Sequence, residues 1–228
     1  PDGLADWPAT AKQIRSLPGI EGAAPYLQGQ VMVSFDGVMD GVEVYGILPE
    51  EESRVSVIDD QMLVGGLDLL QPGEYGIVMG RILASRLMLA KGDKLILTSS
   101  DINLTPMGAF ARSRSFTLVG IFEAGAQVDA NPAFIHLQDA QKFFKKAHPQ
   151  GLKIKTADMF KSASILSGAA KQLGEGYHIK DWSQTQGSLF QAVKMEKIVI
   201  ATLLSIIIAV AAFNIVSSLV LMVADKRG

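Results

Sequence analysis

The sequence predicts an α+β protein, a mixed α/β domain followed by one transmembrane helix. Short strand-like runs alternate with helical segments between residues 7 and 182, and Gly, Pro and Asp residues separate them. A run of 27 residues without any charge follows, from Ile198 to Ala224. As a helix this run would be about 40 Å long, more than the hydrocarbon core of a bilayer, which is about 30 Å thick.

The N-terminal part begins with a predicted helix and a predicted hairpin. Asp6 can cap a helix that has Pro8 in its first turn, and Pro18-Gly19 should end it. Strand-like runs at 31–35 and 42–47 flank a segment with two Asp-Gly pairs. This arrangement is a strong hairpin signal.

Further elements follow along the chain. The segment 116–122 is apolar on both faces, so we expect a central, buried strand. Phe143 and Phe144 should face the core. Nothing interrupts a helix from Ser188 onward, so the membrane helix should begin outside the bilayer. The complete prediction has helices at 81–90, 139–147 and 160–173, and strands at 94–98, 116–122, 133–137, 152–156 and 177–182.

Composition and charge exclude several classes of function. The 228 residues have a net charge of −2, too small to imply a nucleic-acid partner. Residues 1–60 hold 11 acidic and three basic side chains, so this part should have an acidic surface and the remainder a mildly basic one. The absence of cysteine excludes disulfides, thiolate metal sites and cysteine nucleophiles.

No motif of catalysis or nucleotide binding is present. The phosphate loop, G-x-S-x-G, H-E-x-x-H and the dinucleotide fingerprint are all missing. His136, His148 and His178 lack metal-ligand spacing, and His136 should be structural. Glu50-Glu51-Glu52 could bind a cation, but a solvated turn is the favoured interpretation, and the same applies to Asp59-Asp60. We therefore expect a non-catalytic protein without metal or cofactor.

Several polar side chains interrupt the apolar run, among them Ser205, Asn214, Ser217 and Ser218. An intramembrane amide usually finds a partner on a neighbouring helix, so we expect one side of this helix to pack on protein. Direct contact with a transported molecule is the alternative.

The two ends of the chain suggest a piece of a longer protein. The chain starts at Pro1 without a methionine and stops shortly after the apolar run. If the domain lies outside the cytoplasm, an upstream segment, such as another membrane helix, must carry it there. Lysines precede the run, and Lys226 and Arg227 follow it, so charge leaves the orientation open.

The segment between strands 94–98 and 116–122 has the most distinctive composition. We expect a hairpin loop of about 15 residues, and loops longer than about 12–15 residues without structure of their own are often functional. Its sequence, Leu104-Thr-Pro-Met-Gly-Ala-Phe-Ala-Arg-Ser-Arg114, combines apolar and cationic side chains. Arg and aromatic residues are favoured interface anchors, so the loop suits docking into a groove on a partner. Alternatively, Met107 and Phe110 fold back onto their own domain.

Three groups of residues form a familiar pattern. They are Leu104–Gly108 with Arg112–Phe116, Val119–Phe122 and Val128-Asp129; Asp181-Trp182; and Gly187–Lys197 with Ala209–Leu219 and Asp225–Gly228. With these motifs the chain resembles the LolC-type permease subunit of the bacterial lipoprotein-releasing ABC transporter. Leu17–Ile20 with Ala24-Pro25 resembles the start of the periplasmic domain in the wider MacB and FtsX permease group.

The resemblance implies a place in the membrane. Such subunits have four transmembrane helices and a periplasmic domain between the first and second. Residues 1 to about 190 would then lie in the periplasm of an inner-membrane protein, with the C-terminal end cytoplasmic. The implied division is a Porter-like domain at 1–47 and 91–187, a Sabre-like insertion at 48–90, and a transmembrane helix with a periplasmic extension at 188–228.

The resemblance also implies partners. In LolC-type subunits a hairpin called the Hook, equivalent to Ser99–Arg114 here, recruits the periplasmic lipoprotein carrier LolA. The other implied partners are a LolE-type permease or a second copy, a LolD-type ATPase that hydrolyses ATP, and lipoprotein cargo. A MacB-type export permease with a periplasmic adaptor is the alternative. The implied carrier-binding residues are Thr105, Pro106, Met107, Gly108, Ala109, Phe110, Ala111, Arg112, Ser113 and Arg114.

Overall fold

The computed structural model describes residues 3–105, 108–125, 131–158, 162–173 and 187–225. The chain separates into two compact units, Pro1–Ile165 and Leu166–Gly228. Helices and strands are mixed in the first unit, and a long apolar helix occupies most of the second. The predicted fold class is therefore confirmed.

The described residues form six α-helices and eight β-strands. The helices are α1 (Trp7–Arg15), α2 (Pro49–Glu52), α3 (Arg81–Arg86), α4 (Leu137–Phe144), α5 (Ser162–Leu173) and α6 (Gly187–Asp225). The strands are β1 (Ile20–Phe35), β2 (Val38–Ile47), β3 (Met62–Val64), β4 (Gly76–Gly80), β5 (Lys94–Thr105), β6 (Gly108–Phe122), β7 (Pro132–His136) and β8 (Gly151–Thr156). Single 3-10 turns lie at Asp59–Gln61 and Leu67–Leu69.

Most of the predicted elements are present, with shifted ends. α1 follows Asp6 as predicted, although the Asp6 side chain makes no capping hydrogen bond. The helix predicted at 81–90 ends at Arg86, because the chain then turns through Met88, which has a positive φ of 54°. β1 begins well before the predicted residue 31, because residues 20–26 pair with β8. The strand predicted at 177–182 lies outside the described residues.

The strands form one sheet in the order β2-β7-β4-β6-β5-β1-β8, with β3 beside β6. β2 also pairs with β1, so six strands form a closed ring of pairings, β1-β2-β7-β4-β6-β5. β6 pairs with β5 on one side and β4 on the other, which confirms its predicted central place. Its Phe116, Leu118 and Phe122 are buried.

Two apolar cores stabilise the first unit. The larger contains Leu83 and Leu87 around α3 together with Phe143 and Phe144 of α4, so both phenylalanines face inward as predicted. In the smaller core, Ile58, Leu67 and Leu70 pack with residues of four strands: Ile47, Val78, Phe122 and Phe134.

Residues 48–90 belong to the same sheet as the segments on either side of them. They supply β4, which lies between β7 and β6, and β3, which pairs with β6. The division into Porter-like residues 1–47 and 91–187 and a Sabre-like insertion at 48–90 stays a prediction.

The second unit is dominated by α6, a helix of 39 residues. At 1.5 Å per residue it is about 58 Å long. Its segment Met195–Ser218 is long and apolar enough to cross a membrane. The helix starts at Gly187, next to the predicted start at Ser188.

Candidate partner-binding hairpin

The two strands of the predicted Hook pair as a β-hairpin over the residues that the structure describes. Thr105 pairs with Gly108, and the ladder continues through Phe110 opposite Asn103 and Ala111 opposite Ile102. The expected loop of about 15 residues is therefore wrong, because cross-strand pairing reaches almost to the tip. A register shift between Thr98 and Ile102 interrupts the ladder near its base.

The outer part of the hairpin is a two-stranded arm, formed by Ile102–Thr105 and Gly108–Ala111. β1 accompanies β5 only as far as Ser99, and among the described residues no third strand pairs with the arm. A lone two-stranded ribbon is only marginally stable in water, so the arm depends on its anchored base or on a partner.

The predicted contact residues at 105–110 are described only in part. Pro106 and Met107 lie outside the described residues. For Thr105, Gly108, Ala109 and Phe110 the structure describes the backbone alone. Docking of Met107 and Phe110 into a partner, and their folding back onto the domain, both stay open.

Arg112 ties the base of the arm to α4. Its Nη1 donates a hydrogen bond to the carbonyl oxygen of Phe143, in the last turn of α4. The last four carbonyl groups of a helix have no partner within the helix, and cations are favourable at that end. The contact therefore stabilises the C-terminal end of α4 and links it to β6.

Arg114 stacks on an aromatic ring. Its guanidinium carbon lies 3.7 Å from the ring centroid of Tyr75, which directly precedes β4. Arg114 is exposed and Tyr75 is half-buried. Such a cation–π contact contributes about 0.5–1 kcal/mol at an exposed site. Tyr75 was not among the predicted site residues, since the sequence showed only a Pro-Gly breaker before it.

The remaining predicted residues at the base belong to the sheet. Ser113 lies opposite Thr98, and their hydroxyl oxygens are 2.8 Å apart. Ser99 is buried, with 3% of its surface exposed. Ala111 and Ser113 are exposed. Both ends of the predicted Hook are therefore built into the domain.

The acidic run at 50–52 is not a solvated turn, so that interpretation is wrong. Glu51 forms ion pairs with Arg15 and Arg54, and Glu52 Oε1 lies 2.6 Å from Lys153 Nζ. α2 carries these carboxylates, and their cations come from α1 (Arg15), from β8 (Lys153) and from Arg54, which follows α2. No group of three or more metal-ligating side chains occurs within the described part of the chain. Asp59 and Asp60 are exposed, as predicted.

His136 is structural, as predicted. It is the N-cap of α4, and its Nδ1 accepts a hydrogen bond of 3.2 Å from the backbone N–H of Gln138. Burial lowers the pKa of His136, and the neighbouring Asp139 carboxylate acts in the opposite direction. A neutral imidazole that accepts a hydrogen bond fits this capping position.

The polar residues of α6 do not share one side. α6 is unbroken, and a helix turns by 100° per residue, so Ser205 lies on the opposite face of the helix from Asn214. Asn214, Ser217 and Ser218 do lie on one side. Ser205 Oγ donates to the carbonyl oxygen of Ala201 at 2.8 Å, so its hydroxyl group is satisfied within the helix. The predicted packing side is thereby reduced to Asn214, Ser217 and Ser218.

Comparison with known proteins agrees with this architecture. Residues 2–167 match the MacB-like periplasmic core domain. The chain belongs to this family. The extracellular domain of the ABC-type transporter YknZ from Gram-positive bacteria shares the fold of this MacB-like domain. The TM-score is 0.51 at 12% identity, with 79% of this chain and 88% of that chain covered.

Relatives of this MacB-like chain include lipoprotein-releasing system transmembrane proteins named LolC. The protein from Xylella fastidiosa strain Temecula1 is 35% identical over 225 residues, covering 98% of this chain and 54% of the relative. The protein from Neisseria meningitidis strain MC58 is 35% identical over 225 residues, covering 97% and 54%. The predicted resemblance to LolC-type permease subunits is confirmed, and the chain spans about half the length of these relatives.

Proposed function

We propose that the chain is the periplasmic domain and following membrane helix of a LolC-type permease subunit. This subunit would belong to an ABC transporter that releases lipoproteins from the inner membrane. The relatives named LolC, the MacB-like core domain and the apolar segment of α6 support this proposal. Residues 1 to about 190 would lie in the periplasm, and the C-terminal end in the cytoplasm.

The hairpin β5–β6 is the proposed binding site for a LolA-type periplasmic carrier. The observation that carries this assignment is the two-stranded arm, whose described residues extend beyond the end of the β1 pairing. Free strand edges and apolar side chains such as Phe110 can bind a partner that would also stabilise the arm. Burying Phe110 in a groove of the carrier would contribute about 2 kcal/mol.

Holding the carrier at the hairpin would place its cavity beside the outgoing lipoprotein. Acyl chains could then pass between proteins without entering water, and each buried CH₂ is worth about 0.8 kcal/mol. The chain itself would bind no cofactor and catalyse no reaction. A LolD-type ATPase would hydrolyse ATP, and a LolE-type permease or a second copy would complete the complex. α6, unbroken from Gly187 to Asp225, would transmit the ATP-driven movement.

Calorimetric titration of the detergent-solubilised chain with a purified LolA-type carrier tests the binding site. Arg114→Glu and Phe110→Glu should each weaken binding at least about tenfold, which corresponds to 1.4 kcal/mol. Lys12→Glu is the matched control, since Lys12 is exposed on α1 and carries the same charge as Arg114. Unchanged affinity for both hairpin variants would refute the assignment.

A MacB-type export permease is the second candidate, because the matching family is described as MacB-like. Such a protein would bind a periplasmic adaptor instead of a lipoprotein carrier. Incubating the tagged chain with purified carrier and purified adaptor in one mixture separates the two functions, since each candidate retains a different protein.

A further inference from the structure

The turn before β4 is held by a carboxylate from another element. Asp139, in the first turn of α4, is completely buried. Its Oδ1 accepts a hydrogen bond of 2.8 Å from the N–H of Gly73, and its Oδ2 accepts one of 3.3 Å from the N–H of Tyr75. One carboxylate therefore fixes the backbone on both sides of Glu74.

Tyr75 is also held from β6. Its carbonyl oxygen accepts a hydrogen bond of 2.9 Å from the N–H of Thr117. Its φ is 53°, a left-handed conformation that a bulky residue adopts only where its surroundings enforce it. The ring meets Phe116 edge-on, at 5.5 Å between centroids. Backbone and ring of Tyr75 are thus both fixed.

Arg114 rests on this fixed ring. The guanidinium lies over the Tyr75 ring. A guanidinium stacked face-on keeps its N–H groups at its edge, where they can donate hydrogen bonds. Arg114 forms no ion pair with any residue that the structure describes. A guanidinium held in one plane and open to solvent suits two parallel hydrogen bonds to a carboxylate.

We propose that Tyr75 and Asp139 are positioning residues that orient Arg114 toward a carboxylate on the docked carrier. The proposal rests on the proposed function, in which Arg114 contacts the carrier. An arginine that is ordered before binding loses less side-chain entropy when the complex forms. Tyr75 and Asp139 can therefore raise the affinity without touching the carrier themselves. Tyr75 acts through Arg114, and Asp139 acts through Tyr75.

A double-mutant cycle separates positioning from a general effect on folding. The chain in detergent micelles is titrated with purified LolA-type carrier, using Tyr75→Leu, Arg114→Ala and the double variant. Tyr75→Leu should weaken binding about two- to fivefold in the wild-type background and leave it unchanged once Arg114 is absent. Tyr75→Phe keeps the ring and should bind like the wild type. Tyr45→Leu is the matched control, because Tyr45 stacks on Phe134 in the smaller core.

The Arg114 side-chain resonance reports the positioning directly. Selective loss of a cross-peak in Arg114→Lys assigns its Nε–Hε group in a ¹H–¹⁵N spectrum. Ring stacking should move this Hε signal upfield, and the signal should return toward that of free arginine in Tyr75→Leu. In Asp139→Asn the side chain keeps one acceptor oxygen, so it can accept a hydrogen bond from only one of the N–H groups of Gly73 and Tyr75. The Arg114 Hε shift and the affinity should then lie between those of the wild type and of Tyr75→Leu.

Each outcome decides a different point. Unchanged binding by Arg114→Ala overturns the proposed contact between Arg114 and the carrier, and the positioning role with it. A weakened Arg114→Ala combined with wild-type affinity of Tyr75→Leu overturns positioning alone. Positioning is also overturned if Tyr75→Leu costs the same affinity with and without Arg114, or if Tyr45→Leu shifts the Arg114 signal equally.

Discussion

Lys153 Nζ lies 2.6 Å from Oε1 of Glu52, whose side chain is only 1% exposed. Oε2 of the same carboxylate is buried and has no hydrogen-bond partner within the described part of the chain. Lys153 on β8 is therefore the cation that compensates a buried negative charge on α2. A buried charge that loses its partner is strongly destabilising, whereas the solvent can hydrate the half-exposed lysine.

This asymmetry predicts unequal effects of the two single substitutions. Lys153→Met should lower the free energy of unfolding by about 2–3 kcal/mol, because it leaves the buried carboxylate uncompensated. Glu52→Gln should cost about 1 kcal/mol or less, since Lys153 can turn to solvent. Urea unfolding of the detergent-solubilised chain, followed by tryptophan fluorescence, measures both. Equal losses for the two variants would contradict the compensating role of Lys153.

The β1–β2 turn predicts a backbone effect without any steric component. Asp36 and Gly37 both have positive φ, 45° and 81°, and a Cβ added at Gly37 would meet nothing within 4 Å. Gly37→Ala should therefore destabilise by about 1–2 kcal/mol through the left-handed conformation alone. Gly41→Ala is the matched control, because Gly41 has equally open space and no positive φ. Thermal unfolding should separate the two variants, and similar midpoints would disprove the strain.

The position of His136 predicts a decrease in stability on acidification. Burial lowers its pKa below the ordinary value of 6.5, so the unfolded chain takes up this proton at a higher pH than the folded chain. Stability should fall as the pH drops below 6.5, and this contribution should level off below the folded pKa. His136→Asn retains a capping acceptor and removes the titration. Unfolding at about pH 7.5 and about pH 5.5 should show a larger loss for the wild type than for this variant.

The geometry of α6 predicts different roles for Asn214 and Ser205. Asn214→Leu should weaken assembly with other membrane helices by about 1 kcal/mol, because an amide can hydrogen-bond across a helix interface. Ser205→Ala should leave assembly unchanged, since the Ser205 hydroxyl bonds to its own helix. Co-purification of the complete permease complex after stepwise detergent challenge compares the two variants. A stronger effect of Ser205→Ala would contradict the proposal that the face with Asn214 packs on other helices.

Local patterns predicted those elements whose signals lie within a few residues. Asp6 with Pro8 marked α1, and the uncharged run marked the apolar part of α6. The segment with two Asp-Gly pairs marked a hairpin, although the second pair, Asp40-Gly41, lies within β2. The hydrophobic periodicity did not predict strands that are stabilised by pairing with strands distant in sequence. The start of β1 was missed because its pairing with β8 stabilises residues that carry breakers such as Gly22 and Pro25.

At the candidate site, too, local sequence patterns predicted only part of the structure. The composition of residues 104–114 singled out the hairpin, but not its ladder or its anchors. Tyr75 and Asp139 lie far from Arg114 along the chain, and no local signal links them. The acidic run at 50–52 looked solvated because two of its three cations, Arg15 and Lys153, come from the distant elements α1 and β8.

By itself, the sequence determined the α+β class, the apolar C-terminal helix, the LolC-type resemblance and the place of the hairpin. Each of these depends on composition or on short motifs, which need no knowledge of distant contacts. Only the tertiary structure decided that the hairpin is a paired arm, that Arg112 and Arg114 are anchored at its base, and that Glu52 is a buried charge. These features arise from contacts between residues that are remote in sequence, and folding alone brings them together.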